Sequence, residues 1–104
     1  MIEIISIFSF DTSARTLAER EAYYLGEYVT KLRALPGLRK YVVGRTMPVP
    51  GAEVDHARVA VLYFDDMAAF AGAMATPLGQ EMSRIMSEMA PGSKLYVVDA
   101  QEVD

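Results

Sequence analysis

The sequence predicts an α+β fold whose elements follow one another in the order βαββαβ. One observation is that β-branched and aromatic residues are concentrated at 2–10 and 57–64, whereas the intervening segments repeat apolar residues at helical spacing. A second is the stretch 34–41, Ala-Leu-Pro-Gly-Leu-Arg-Lys-Tyr, which closes a helix and opens a strand. Pro36 disfavours a helical conformation at Leu35, and Gly37 permits the positive φ that often follows a helix.

The first half of the chain predicts a strand, a helix and a second strand. Residues 2–10 contain no Pro or Gly and are apolar on both faces, which is typical of a central strand. Thr16 and Glu19 have the spacing of a capping box, so a helix begins there and runs to Leu35. The second strand is predicted at 38–47. The buried stripe of the helix is predicted at Leu17, Tyr24, Leu25, Tyr28, Leu32 and Leu35.

The second half predicts a strand, a broken helical region and a last strand. An irregular connection at 48–56 leads to a strand at 57–64, and Asp65-Asp66 caps a helical region from Met67 to about residue 90. Pro77 should break this region at Thr76. The last strand is predicted at 94–103. This order describes a ferredoxin-like sandwich with an antiparallel sheet in the order 4-1-3-2 and both helical regions on one face.

The strands are too apolar to leave the second face of such a sheet in water. Two copies that stack sheet against sheet would cover it and close a barrel. We therefore expect a homodimer through the sheet faces.

Composition limits the function. The 104 residues suit one domain, 1–104, and a net charge of −4 with no basic cluster beyond Arg39-Lys40 argues against nucleic-acid binding. There is no Cys and only one His, so neither a thiolate nor a His-rich metal site is expected. Phosphate-binding glycine loops and the Gly-x-Ser-x-Gly elbow are absent. The acidic N-terminus and the lack of a long apolar run predict a cytoplasmic protein that does not enter membranes.

Four features in this order resemble the ethyl tert-butyl ether degradation protein D (EthD) family of dimeric α+β barrels. They are the hydrophobic N-terminal strand, the junction Leu35-Pro36-Gly37-Leu38-Arg39-Lys40-Tyr41, the strand end Val61-Leu62-Tyr63-Phe64-Asp65, and the segment Ala75-Thr76-Pro77-Leu78-Gly79-Gln80. The resemblance covers nearly the whole chain. It implies a range of activities that includes cofactor-independent oxygenases, cyclases, dehydratases and lactone isomerases, and it implies no bound cofactor.

The resemblance also directs attention to Tyr28. Family members often carry a His shortly before the Leu-Pro-Gly, where this chain has Glu27-Tyr28-Val29-Thr30. A phenol has a reference pKa of about 10, so Tyr28 is expected to orient a substrate as a donor and not to act as a base. Tyr24 lies four positions earlier on the same helix face, where both rings line a pocket or pack in the core.

The remaining candidates each have an alternative structural role. His56 is a general base or a solvated loop residue, and Asp11 is an acid or base at a strand end or a cap. Arg39 orients an enolate or a carboxylate, or it is an edge-strand residue that keeps the protein soluble or lies at a dimer contact. Tyr41 and Tyr63 line an aromatic cavity or pack in the core, and Met82 and Met86 form an adaptable wall or core.

These residues predict a small homodimer that binds a hydrophobic, aromatic or polyketide-like molecule, and the resemblance implies oxidative, cyclising or isomerising chemistry without a bound cofactor. The alternative is a module without chemistry that carries such a ligand or assists an oxidative degradation pathway.

Overall fold

The computed structural model describes residues 1–51 and 57–103. Its strands form one antiparallel sheet in the order β2-β3-β1-β4, which confirms the predicted topology. The helical regions cover one face of the sheet, called here the inner face. The strands are β1 (Ile2–Phe8), β2 (Lys40–Arg45), β3 (Arg58–Phe64) and β4 (Lys94–Asp99).

The strands are shorter than predicted because each ends where its partner ends. Phe8 pairs with Arg58, the first residue of β3, and Asp99 pairs with Ile2, the first residue of β1. Periodicity does not show the limit at Phe8, since Phe10 continues the apolar pattern after Ser9.

The first helical region begins at the predicted capping box. Thr16 Oγ1 accepts from the Glu19 N–H at 3.1 Å, and Glu19 Oε1 accepts from the Thr16 N–H at 3.1 Å. The helix α1 (Leu17–Tyr23) continues through a π-helical turn (Tyr24–Tyr28) into α2 (Val29–Leu32). Gly37 then adopts a φ of 78° in the predicted turn.

The predicted stripe is wrong at Leu17 and Leu25. These side chains are 56% and 49% exposed, and α1 contributes no buried residue. Leu25 follows Tyr24 by one position, and a step of one residue turns a side chain by about 100° around a helix. Burial instead follows the four-residue steps from Tyr24 through Tyr28 to Leu32.

The second helical region is broken at Thr76, as predicted. Thr76 is extended, with ψ 159°, and separates α3 (Met67–Ala75) from α4 (Pro77–Met89). Its hydroxyl donates to the Ala73 carbonyl at 2.6 Å and accepts from the Gly79 N–H at 3.1 Å. One residue therefore joins the end of α3 to the start of α4.

We expect Gly79→Ala to destabilise the fold by about 1–3 kcal/mol. A Cβ at Gly79 would lie 2.4 Å from the Ala73 carbonyl oxygen and 2.6 Å from Met74 Cα, so backbone would have to move. The matched control is Gly72→Ala in α3, where a Cβ meets open space and the helix should gain stability. Urea unfolding of both variants checks this, and equal stabilities would contradict the close packing of Gly79 against the end of α3.

Side chains on the two faces of the sheet have different surroundings. Ile4, Leu62 and Phe64 on the inner face are buried beneath the helices. The opposite face, called here the outer face, is apolar and partly exposed, with Ile7 at 39% and Tyr96 at 49%. The apolar residues of the outer face are Ile5, Ile7, Val42, Val59, Val61, Tyr63, Tyr96 and Val98.

None of the helices in the described ranges has the length and apolar composition that crossing a membrane requires.

Candidate binding cavity

A cavity of about 190 Å³ lies between the inner face of the sheet and the helices. Ser83 and Leu95 are exposed residues of its wall, so the cavity reaches the surface between α4 and β4. Its other lining residues are Ile4, Ser6, Tyr24, Tyr28, Leu32, Tyr41, Ala60, Leu62, Phe70, Met74, Met82 and Met86.

The cavity exists because two small residues meet at the centre of the sheet. Ser6 of β1 is paired with Ala60 of β3, and both face the helices. The neighbouring inner-face pair, Ile4 and Leu62, is large and buried. A serine and an alanine therefore leave space where a larger pair would fill the core.

The π-helical turn supplies two of the tyrosines that line the cavity. Tyr24 and Tyr28 stack with ring centroids 5.5 Å apart and an interplanar angle of 25°. Phe8 and Phe10 meet the Tyr24 ring edge-on, at 5.3 and 5.6 Å. Single π turns inside α-helices occur frequently at functional sites. Here the turn brings a pair of phenol rings under the helix, held from one side by the two phenylalanines.

Two buried phenol hydroxyls have no hydrogen-bond partner in the described part of the chain. They belong to Tyr24, which is fully buried, and to Tyr41 of β2. Tyr41 opposes the rise that burial causes in the pKa of Tyr24, and Tyr24 raises the pKa of Tyr41 beyond the effect of burial. This is the pattern of a Tyr41 hydroxyl that points toward the Tyr24 oxygen without reaching hydrogen-bond geometry. A buried hydroxyl without a partner is unfavourable, so both are available to a molecule that enters the cavity.

The three phenols of the cavity stay protonated at physiological pH. Burial raises the pKa of Tyr24, Tyr28 and Tyr41 above the ordinary value near 10. For Tyr28 and Tyr41 the neighbouring Tyr24 raises the pKa further. These side chains therefore act as hydrogen-bond donors and not as bases.

An ion pair behind Tyr24 was missed by the sequence analysis. Arg58 Nε donates to Glu21 Oε1 at 3.2 Å, a second contact joins Arg58 Nη2 to Glu21 Oε2, and the Arg58 side chain is 13% exposed. The guanidinium carbon lies 5.7 Å from the centre of the Tyr24 ring, in a cation–π contact, and its charge opposes the rise in the Tyr24 pKa. The available signal was that Arg58 alternates in β3 with inward residues such as Ala60.

The structure brings five of the predicted site residues together around the cavity and places Tyr63, Arg39 and Asp11 outside its lining. Tyr63 lies on the outer face, where Lys40 Nζ is 5.3 Å from its ring centre. Arg39 is exposed and donates to Asp65 through Nη2 at 2.8 Å. The five residues of the cavity are Tyr24, Tyr28, Tyr41, Met82 and Met86.

The two other predicted acid–base residues are Asp11 and His56. Asp11 lies outside the lining, and its Oδ1 accepts from the Ser13 N–H at 2.9 Å. That hydrogen bond lowers the pKa of Asp11, which opposes the raised pKa that an acid in a cavity needs. His56 lies outside the described residues. Across residues 1–51 and 57–103, no three acidic, His or Cys side chains cluster as metal ligands.

The likeness to known proteins is one of structure. No protein-family model and no curated protein matches the sequence. An EthD family protein from Bacillus halodurans superimposes with a TM-score of 0.84 at 20% identity, over 97% of this chain and 99% of that one. This chain has the fold of an EthD family protein. The predicted resemblance is thus confirmed at the level of the fold.

Two further structures share the EthD fold at lower similarity. SnoaB, a cofactor-independent oxygenase from Streptomyces nogalater, has a TM-score of 0.68 at 16% identity, over 98% of this chain and 94% of its own. A dimeric ferredoxin-like protein from Thermobifida fusca has a TM-score of 0.72 at 15% identity, over 93% and 88% of the two chains. At identities this low, the superpositions show a common fold and do not by themselves show an activity.

Proposed function

We propose that this protein binds a flat, apolar small molecule with an acceptor oxygen in the cavity and converts it by oxidative, cyclising or isomerising chemistry without a cofactor. The observation that carries the proposal is the pair of unpartnered hydroxyls, Tyr24 and Tyr41, in a largely apolar cavity. Apolar walls with a few converging polar groups are typical of small-molecule sites. The fold shared with a cofactor-independent oxygenase supports the class of chemistry.

The described lining of the cavity supplies hydrogen-bond donors to the substrate but no base to deprotonate it. Its ionisable side chains are the phenols of Tyr24, Tyr28 and Tyr41, which stay neutral, so the described lining offers no base. Two neutral donors stabilise negative charge that develops on a carbonyl or phenol oxygen. Substrates that lose a proton readily are therefore the ones on which this cavity can act.

The experiment is to identify a ligand that copurifies with the protein, by native mass spectrometry, and to incubate it in air with the protein after removal of metals. Formation of an oxidised or isomeric product at a rate that falls in Tyr24→Phe supports the proposal. A copurifying ligand that is polar or charged throughout would contradict it.

The second candidate is a carrier or accessory module without chemistry, as considered from the sequence. It is favoured by the absence of a base near neutrality among the described lining residues. Saturable binding of the copurifying ligand with no product over many hours assigns this role. A pH–rate profile with a product assigns catalysis.

We also propose that the protein is a homodimer through the outer faces of its sheets. The exposed apolar side chains of that face support it, as does the dimeric state of the Thermobifida fusca structure. Val61 is paired with Ile5 and Val42 near the middle of the face, so Val61→Lys should give a monomer in sedimentation at micromolar concentration. The control is Met67→Lys on the exposed start of α3, which should stay dimeric. If Val61→Lys stayed dimeric, the dimer interface would not be the outer face of the sheet.

A further inference from the structure

We infer that the ligand places a single six-membered ring in the cavity, with about seven or eight non-hydrogen atoms there, one of them an oxygen that accepts from Tyr24 and Tyr41. The inference rests on the proposed function and names its substrate class. It narrows the hydrophobic, aromatic or polyketide-like molecule that the sequence predicted.

The size follows from the volume of the cavity. An apolar cavity of about 150 Å³ holds one benzene, which corresponds to about 25 Å³ for each carbon. At that density 190 Å³ holds one ring and one or two substituent atoms. Two fused rings have ten carbons and would need about 250 Å³ on the same scale.

The walls oppose a larger ligand. Ile4 and Leu62 flank the cavity from the sheet, and Met82 closes it from α4; all three are buried. Enlarging the cavity means displacing side chains that already pack against the core. The more exposed side, at Ser83 and Leu95, serves as a route of entry.

The acceptor oxygen follows from the two hydroxyls. The hydroxyls of Tyr24 and Tyr41 lie close to each other at the cavity, and within the described residues neither has a partner in hydrogen-bond geometry. One oxygen with two lone pairs accepts a hydrogen bond from both. A ring without such an oxygen would leave both donors buried and unpaired, and it should bind more weakly for that reason.

Isothermal titration with phenol, toluene and 2-naphthol separates size from polarity, since phenol and toluene have equal numbers of heavy atoms. We expect phenol to bind about tenfold more tightly than toluene, and at least about tenfold more tightly than 2-naphthol. If 2-naphthol bound as tightly as phenol or more tightly, the inferred ligand size would be wrong. If toluene bound as tightly as phenol or more tightly, the inferred acceptor oxygen would be wrong. Failure of all three to saturate would instead reject the proposed function.

A cavity variant gives an independent test in the same titration. Met86→Ala removes a partly buried wall residue, so 2-naphthol should gain affinity relative to phenol by about tenfold. The matched control, Met67→Ala, truncates an exposed methionine of α3 and should leave the ratio unchanged. An unchanged ratio in folded Met86→Ala would contradict the inference that this wall limits ligand size.

Discussion

Tyr24→Phe should make the protein more stable and, at the same time, a poorer binder. The Tyr24 hydroxyl is buried without a partner in the described structure, and a buried polar group in that state costs about 1–3 kcal/mol. Its removal leaves the ring stacking with Tyr28 and the contacts with Phe8 in place. We therefore expect the free energy of unfolding without ligand to rise by about 1 kcal/mol, measured by urea denaturation.

Binding should change in the opposite direction. The phenylalanine cannot donate to the ligand, so the affinity for phenol should fall by about tenfold for Tyr24→Phe, and further when Tyr41→Phe is added. Titration calorimetry measures both variants. The control is Tyr23→Phe, which removes a hydroxyl from the adjacent helical position outside the cavity lining and should leave phenol binding unchanged. Loss of stability in Tyr24→Phe would mean that the hydroxyl has a stabilising partner, and the binding argument would fail with it.

The order of the elements was predictable because the residues that begin, end or break the helices act on their own local backbone. Pro36 and Gly37 end the first helical region by restricting or freeing their own backbone, and Thr76 with Pro77 breaks the second for the same kind of reason. The capping box at Thr16 likewise depends on residues three positions apart. Such features depend on residues that are neighbours in the sequence, so the sequence shows them without knowledge of tertiary contacts.

The face of each strand was not predictable from these patterns. β3 is apolar at every position after Arg58, so alternation cannot tell which side faces the helices. Tyr63 was expected in the cavity and lies on the outer face, whereas Ala60 and Leu62 face inward. The pairing of Ser6 with Ala60 depends on the register of β1 and β3, which the sequence of one strand does not contain.

The π-helical turn and the ion pairs depend on distant contacts for the same reason. Tyr24 was placed correctly on the buried side by a spacing of four, but the turn that widens there packs against Phe8 of β1. Arg39 and Asp65 meet across the junction between β2 and the end of β3. Periodicity identified the tyrosines of the site, and only the assembled sheet shows which arginine lies behind them.

A leucine at position 60 should abolish ligand binding while the protein stays folded. Ala60→Leu adds three carbons at the centre of the inner face, about 75 Å³ at the density of benzene in a protein cavity, to a space of about 190 Å³. Too little remains for a ring, so phenol affinity should fall by at least about a hundredfold. Each buried CH₂ contributes about 0.8 kcal/mol, and overpacking costs about 1–3 kcal/mol, so the net change in stability should be small.

The control is Ala71→Leu, which adds the same atoms at an exposed position of α3 and should leave binding intact. Titration calorimetry and urea denaturation of both variants make the comparison. Undiminished phenol binding by folded Ala60→Leu would place the ligand outside this cavity. The side chain at position 60 forms no hydrogen bond in either variant, so Ala60→Leu tests the volume of the cavity. Tyr24→Phe tests its hydrogen-bonding capacity. Agreement of the two variants would therefore locate one ligand against both walls of the same cavity.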